Sequence, residues 1–159
     1  MIHQLSKSAQ SVQDVLDKKG LTSRVVELAA STRTAQEAAQ AIGCDVAQIV
    51  KSLIFRTRET GKPILVLASG PNRVNEVIFT KRVGEAIERA SADFVRDVTG
   101  FAIGGIPPIG HRQQIETYID ADLLKFPEVW AAAGTPHAVF SLNSADLESA
   151  TNGKIISVV

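Results

Sequence analysis

The sequence predicts an α+β domain built on a mixed or largely antiparallel sheet. Helical and hairpin patterns are interspersed along the chain, which is typical of that class. The 159 residues contain no linker, repeat or low-complexity tract, so residues 1–159 are expected to form a single domain. The chain is 45% hydrophobic and 21% charged, which is the composition of an ordinary soluble globular protein with a substantial core.

Composition also narrows the class of protein and its compartment. No apolar run approaches the roughly 18 residues that a membrane span needs. The N-terminal residues lack the basic-then-apolar order of a signal peptide. A single cysteine, Cys44, excludes an intrachain disulfide. We therefore expect a cytoplasmic protein without a membrane partner.

The first third of the chain has two helical patterns. Apolar spacing predicts a helix over residues 8–19, and a short strand is expected at residues 24–28. The sequence Thr34–Glu37 has the form of a capping box and begins a second helix, which Gly43 ends.

The segment Val50–Phe55 is the clearest strand. Alternation places Lys51 on one apolar face and Ser52 on the other. A lysine on an apolar face either extends its ammonium from the rim or is held there for its charge, and the strand pattern alone favours the rim. A hairpin turn then leads to an antiparallel return strand over residues 63–68.

The rest of the chain mixes helices with short strands. The predicted elements are a helix from Asn75 to about residue 82, its continuation over residues 84–90, a helix capped by Asp93, strands at 117–119, 129–133 and 138–142, a helix capped by Ser144, and a strand at 154–159.

The stretch Gly100–His111 contains four glycines and two adjacent prolines, so it is neither a helix nor a strand interior. Gly104 and Gly105 let a ligand approach the main chain, while Pro107 and Pro108 stiffen the other half. Such a loop suits main-chain amides that hold a carbonyl or phosphate oxygen. A tight connection between two strands is the alternative, because Gly and Pro are also common in turns.

Several kinds of site are absent from the sequence. No Cys-x-x-Cys or His-x-x-x-His spacing occurs, and His3, His111 and His137 are too dispersed to predict a metal site. No Gly-x-Ser-x-Gly elbow or phosphate-binding loop is present. Cys44 has no neighbouring base and is not expected to be a nucleophile. The remaining residues favour electrostatic stabilisation of a bound ester or phosphate, with no metal and no cofactor.

Charge is unevenly distributed, although the net charge is zero. Between Lys51 and Arg82 there are seven basic residues and two acidic ones. From Gln113 onward there are two basic residues and six acidic ones. The basic segment permits a local anionic partner, and a solvated helix face is the alternative explanation.

Several stretches, in order, resemble a known family. Val50–Phe55 is followed about fifty residues later by Thr99–Phe101 and Gly104–Gly110, and then by Tyr118–Asp120. Together they resemble the YbaK/prolyl-tRNA-synthetase-associated domain family, over roughly residues 8–150. The family implies a single α/β domain around a twisted, barrel-like mixed sheet flanked by helices. Its members remove wrongly attached amino acids from tRNA, especially tRNA(Pro).

The resemblance also implies a site. Lys51 resembles the family's functional lysine, and Ser52 resembles the small hydroxyl residue that follows it. Gly104 and Gly105 match the loop whose amides face the scissile ester. Gly134 matches the glycine that closes the pocket on the opposite side.

Further residues are expected to contact the substrate: Ile106, Pro107, Pro108, His111 and His137. Pro107 stands where many relatives have Ser, Thr or Ala, and His111 directly follows Gly110, so the amino acid removed is left open. His137 is expected to orient the substrate amine or ribose, and a hydrogen-bonded surface histidine is the alternative.

The resemblance implies a trans-editing deacylase that hydrolyses a mischarged aminoacyl-tRNA. The expected tRNA is tRNA(Pro), and prolyl-tRNA synthetase is an expected partner. Water would attack the ester while loop amides stabilise the oxyanion. The alternative is a non-catalytic module that binds an aminoacyl or nucleotide ligand and docks on a synthetase. The sequence does not indicate the oligomeric state.

Overall fold

The structure, a computed structural model, describes residues 4–159, so His3 lies outside the described residues. Five helices occur in this part of the chain: α1 (Lys7–Lys18), α2 (Ala35–Ile42), α3 (Glu76–Val83), α4 (Ala92–Thr99) and α5 (Leu147–Thr151). Eight strands accompany them: β1 (Val26–Glu27), β2 (Ile49–Thr57), β3 (Pro63–Ser69), β4 (Ile87–Arg89), β5 (Glu116–Asp120), β6 (Glu128–Ala132), β7 (Ala138–Asn143) and β8 (Lys154–Ile156). Short 3₁₀ turns occupy Val46–Gln48, Ala121–Lys125 and Ser144–Asp146.

The strands form one mixed sheet in the order β1-β7-β6-β2-β3-β5-β8, and β4 pairs with β2 outside this path. Four pairings are antiparallel and three are parallel. Within residues 4–159, β1 and β8 at the two ends do not pair with each other, so the sheet is not a closed barrel. The predicted class, a mixed sheet flanked by helices in a YbaK-like arrangement, is confirmed.

The two faces of β2 pack into different parts of the core, as the alternation predicted. Val50 and Ile54 lie in the largest apolar cluster. Phe55, on the other face, packs in a second cluster with Phe79 of α3 and Tyr118 of β5. The Phe79 and Tyr118 rings meet edge to face, with centroids 5.3 Å apart.

The predicted helical continuation over residues 84–90 is wrong. Helix α3 ends at Val83, and Ile87–Arg89 form β4, which pairs antiparallel with Phe55–Thr57 of β2. Pairing with a distant strand outweighs the local sequence pattern here.

Two predicted caps are also wrong, although both neighbouring helices exist. Ser91 rather than Asp93 begins α4, because its hydroxyl accepts from the Phe94 N–H at 3.2 Å. Ser144 lies inside a 3₁₀ turn, and its hydroxyl donates to the Phe126 carbonyl instead of capping α5.

Candidate active site

The candidate site lies along a gap in the sheet beside β2. One edge of β2 pairs with β3 along its length, from Val50 to Arg56. The opposite edge pairs with β6 at Ile49 and Val50, and with β4 only from Phe55 onward. The stretch 51–53 therefore has no strand partner on that edge within the described chain.

A cavity of about 800 Å³ opens at this gap. Its walls come from α2, β2, β6, the turn that follows β3, and the loop that contains Ile103 and Gly104. Four of the ten predicted site residues line it: Lys51, Ser52, Gly104 and Ile106. A volume of this size is within the range of small-molecule sites.

Lys51 extends from β2 into this cavity and is partly buried. Its Nζ donates to the main-chain oxygen of Asn72 at 2.7 Å. Burial lowers the pKa of Lys51, and the charge of Arg89 lowers it further. Asp120 opposes this shift, and Arg73 has the smallest effect. The ammonium is thus held at a set position in a positively charged setting.

In addition to Lys51, three arginines line the cavity: Arg33, Arg73 and Arg89. None of the three forms an ion pair within residues 4–159. The lining has a single carboxylate, Glu76, so positive charge dominates. This surplus suits an anionic ligand such as a phosphodiester.

One part of the cavity lining is apolar. Ala35, Ala38 and Ile42 of α2 belong to the same apolar cluster as Ile49 and Trp130, which are paired across β2 and β6. Because strand residues rise by about 3.3 Å each, this wall begins only two residues along β2 from Lys51. The cavity therefore combines an apolar compartment with cationic groups.

Ser52 also lines the cavity, and its hydroxyl is unusual. The Oγ atom is buried and has no hydrogen-bond partner among the described residues. A buried hydroxyl without a hydrogen-bond partner is destabilising to the fold.

The loop over residues 103–106 forms the rim. Gly104 has a φ of +103°, which favours glycine, and a Cβ there would lie 3.0 Å from the Arg33 side chain. The Gly105 N–H donates to Ala102 O at 3.2 Å. The N–H groups of Gly104 and Ile106 find no acceptor within residues 4–159. The described chain therefore leaves these two main-chain donors of the loop unused.

Gly105 and Gly134 connect this loop to the next segment. The Gly134 N–H donates to the Gly105 carbonyl at 2.8 Å. A Cβ on Gly105 would lie 2.7 Å from the main-chain nitrogen of Thr135. Neither glycine lines the cavity. Their contacts position the loop against the turn that follows β6.

His137 lies on that turn and is exposed. Its Nδ1 is 3.1 Å from the Ala30 carbonyl, and its main-chain oxygen accepts from the Leu28 N–H at 2.8 Å. The Thr32 N–H donates to the Pro136 carbonyl at 2.6 Å. His137 thus connects to the segment that leads to Arg33 at the rim, without lining the cavity itself.

Pro107, Pro108 and His111 lie away from the cavity lining. The Nε2 of His111 is 2.6 Å from the Pro107 carbonyl, which ties the two ends of the proline segment together. Burial lowers the pKa of His111, and the contact with the Pro107 carbonyl partly opposes this. Pro108 and His111 instead border a second, smaller cavity of about 400 Å³ beside α1.

The described residues do not form a metal site, a membrane-spanning helix or an activated thiol. Residues 4–159 contain no cluster of His, Cys, Asp or Glu with the arrangement of a metal site. No helix in this range is long and apolar enough to cross a bilayer. The pKa of the Cys44 thiol is raised by burial and by Asp45 and Glu128, which is the opposite of activation as a nucleophile.

Comparison with known proteins identifies the family. The sequence model of the aminoacyl-tRNA editing domain matches residues 29–150, which is most of the chain. The chain therefore belongs to the aminoacyl-tRNA editing domain family, and the predicted YbaK-like relationship is confirmed.

Individual relatives agree with this assignment. The fold is similar to the crystal structure of a candidate trans-editing enzyme for prolyl-tRNA synthetase, with a TM-score of 0.91. The two sequences are 48% identical, and the match covers 98% of each chain. The uncharacterised protein YwhH of Bacillus subtilis is 29% identical over 148 residues, which are 93% of this chain and 94% of YwhH. The proline–tRNA ligase of Bacillus licheniformis is 33% identical over 91 residues, which are 57% of this chain and 16% of the ligase.

Sequence reasoning missed several cavity residues. Arg89 was assigned to a helix, so its place beside Lys51 could not be inferred. Arg33 carries no local signal beyond its position before the α2 capping residue. Asn72 lies between the predicted strand over residues 63–68 and the helix predicted from Asn75, and no role was expected for it. Trp130 was placed on a strand without a role, although a lone large aromatic residue is a reasonable candidate for a ligand wall.

Proposed function

We propose that this protein is a trans-editing deacylase that hydrolyses the ester of a mischarged aminoacyl-tRNA, with tRNA(Pro) as the preferred tRNA. The single observation that carries the proposal is the Lys51 cavity, in which cationic groups, an apolar wall and free loop amides adjoin. Membership of the editing domain family supports the reaction class. The likeness to a candidate trans-editing enzyme for prolyl-tRNA synthetase supports tRNA(Pro).

In the proposed complex, the charged end of the tRNA approaches the cationic side of the cavity. Arg73, Arg89 and Lys51 bind phosphate oxygens near the terminal ribose, because guanidinium and ammonium groups form strong charge-assisted hydrogen bonds with phosphate. The aminoacyl side chain lies against the apolar lining formed by α2 residues, Ile49 and Trp130. Basic residues of the segment between Lys51 and Arg82 that lie outside the cavity contact the acceptor stem.

The reaction is attack of water on the ester carbonyl, assisted by the terminal ribose hydroxyl. The bond between the carbonyl carbon and the ribose oxygen breaks, that oxygen receives a proton, and the amino acid leaves as the free acid. The amide of Gly104 donates to the developing oxyanion. Since the Gly105 amide is engaged with Ala102, we assign the second donor to Ile106.

The remaining predicted residues have supporting roles in this proposal. Gly105 and Gly134 hold the loop close to the turn after β6, and Pro107 and Pro108 limit its movement. Ser52 follows Lys51 on β2 and forms part of the cavity lining. His111 and His137 brace the two ends of the rim. Prolyl-tRNA synthetase is the proposed partner that supplies the mischarged tRNA, which places the protein in the cytoplasm.

The test is a panel of tRNA(Pro) samples charged with proline, alanine, cysteine or serine, together with the corresponding cognate aminoacyl-tRNAs. Hydrolysis is followed as loss of labelled amino acid from tRNA, with and without protein. Selective acceleration for one mischarged tRNA(Pro) is expected. Acceleration for none, together with measurable binding of aminoacyl-tRNA, would favour the alternative of a non-catalytic module.

A further inference from the structure

The ammonium of Lys51 is oriented by one turn of the chain. An ammonium has three N–H donors, and the contact with the Asn72 main-chain oxygen uses one of them. The position of this oxygen therefore determines where the other two donors point. Asn72 belongs to the turn between β3 and α3, which includes Gly70 and Arg73.

Two carboxylates, Asp120 and Asp122, accept hydrogen bonds from that turn. The Asn72 Nδ2 group donates to Asp120 Oδ2 at 2.8 Å and to Asp122 Oδ2 at 2.7 Å. Asp120 also accepts from the Ser69 N–H at 2.9 Å and from the Asp122 N–H at 2.9 Å. A side chain with this many contacts at the end of β5 fixes the turn to the sheet.

The turn is also restrained on its other side. A Cβ on Gly70 would lie 2.1 Å from the Val46 carbonyl oxygen, so the main chains are in close contact there. The Ser69 hydroxyl donates to the Ala47 carbonyl at 2.6 Å. The Asn72 carbonyl consequently has little freedom to move away from Lys51.

Asp120 is only 1% exposed and forms no ion pair within the described residues. Burial of a carboxylate is costly unless hydrogen bonds and a nearby positive charge offset it. Its hydrogen bonds are all to N–H groups of the turn and of its own strand end, and its charge couples to two cations, Lys51 at the cavity and the exposed Lys125.

We propose that Asp120, acting through Asn72, is a positioning residue that holds the Lys51 ammonium where it binds the phosphate next to the ester. The inference rests on the proposed role of Lys51 in deacylation. Asp120 does not line the cavity and touches no substrate in this scheme. It acts by fixing the turn whose carbonyl accepts from Lys51 Nζ, and its negative charge favours the protonated form of Lys51.

The charges around Lys51 predict in which direction its pKa shifts when Asp120 is replaced. Arg89 of β4 and Arg73 of the turn oppose its protonation, whereas Asp120 of β5 favours it. Replacing Asp120 with a neutral residue leaves the two arginines unbalanced. The pKa of Lys51 then falls below its value in the parent protein, and the deprotonated fraction at a given pH rises.

The test compares Asp120→Asn and Asn72→Ala with the control Glu116→Gln. Glu116 lies on the same strand, but its carboxylate hydrogen-bonds to Lys62 and Tyr118. Single-turnover deacylation is measured across pH with saturating protein. The pKa of Lys51 is measured separately by NMR on protein with ¹³C-labelled lysine side chains, with Lys51→Arg used to assign the signal.

Both variants are expected to lose about 100-fold in rate, the cost of misplacing a catalytic group by roughly 1 Å. Only Asp120→Asn should lower the pKa of Lys51, and Glu116→Gln should change neither quantity. Asn72→Ala keeps the Asp120 charge, so it remains informative if Asp120→Asn does not fold. A parent-like rate in Asn72→Ala, or an unchanged Lys51 pKa in folded Asp120→Asn, would overturn the proposal.

Failure of this inference is distinguishable from failure of the proposed function. If the parent protein hydrolyses no aminoacyl-tRNA, the proposed function fails, while the NMR titration still decides whether Asp120 controls the charge of Lys51. If the parent is active and both variants retain its rate, the proposed function stands and the positioning role is wrong.

Discussion

Replacing Gly105 with alanine should destabilise the fold through a contact between two main-chain segments. The added Cβ would lie 2.7 Å from the nitrogen of Thr135 and 2.8 Å from its Cα and carbonyl carbon. Favourable contacts between such atoms lie at about 3.5–4.0 Å, so the overlap approaches 1 Å. The atoms concerned are main chain, and the Gly134 N–H bond to Gly105 holds the same segments together.

An overlap that requires main-chain movement typically costs about 1–3 kcal/mol. In a chain of this size, this corresponds to a decrease of roughly 3–10 °C in melting temperature. Chemical denaturation gives the free energy of unfolding, and a thermal scan gives the melting temperature. The control is Ile103→Ala in the same loop, because Ile103 is 50% exposed and its truncation should change stability by less than about 0.5 kcal/mol.

Equal stability of Gly105→Ala and the parent would refute this reasoning. It would show that the turn at Thr135 moves away freely, so that the contact with Gly105 does not position the loop. The deacylation rate should fall as well, because displacement of Gly105 moves the neighbouring amides of Gly104 and Ile106.

Three further substitutions test other parts of the site. Ser52→Ala should leave the free energy of unfolding unchanged or raise it by up to about 1 kcal/mol, since its hydroxyl is buried without a partner; a clear loss of stability by denaturation would contradict this. His111→Gln should reduce the pH dependence of stability. Because burial lowers the pKa of His111, the parent loses stability as pH falls below about 6.5. If the free energy of unfolding depends on pH between about 7 and 5 in the same way in His111→Gln and the parent, this reasoning is wrong. His137→Ala should lower the single-turnover rate by less than about tenfold, as expected for a group that braces the rim, whereas a loss of the 10²–10⁴-fold size typical of proton-transfer groups would indicate direct contact with the reacting atoms.

Local signals in the sequence predicted much of the fold. The Val50–Phe55 alternation, the Thr34 and Asn75 caps and the hairpin between β2 and β3 all depend on residues close together in the chain. Strand β4 was missed because its identity depends on pairing with β2, some thirty residues earlier. The gap between β4 and β6 along one edge of β2, where the cavity opens, could therefore not be predicted either.

The candidate site was predictable to a similar degree. Lys51 and Gly104 lie at one cavity, and the roles that the family resemblance implies for them stay predictions. The contact of Asn72 with Lys51 joins residues that are 21 positions apart, and the contact with Asp120 spans 48 positions. Such contacts follow from the order of strands in the sheet, which no local pattern specifies.

The most direct test of the proposed function is single-turnover hydrolysis of mischarged tRNA(Pro) by Lys51→Ala and the parent, measured with saturating protein. The free energy of unfolding is measured alongside and should change by no more than about 1 kcal/mol, since the Lys51 side chain is only partly buried at the cavity. We predict that Lys51→Ala reduces hydrolysis to the rate without protein while the variant remains folded. A folded Lys51→Ala protein that retains the parent rate would contradict the account.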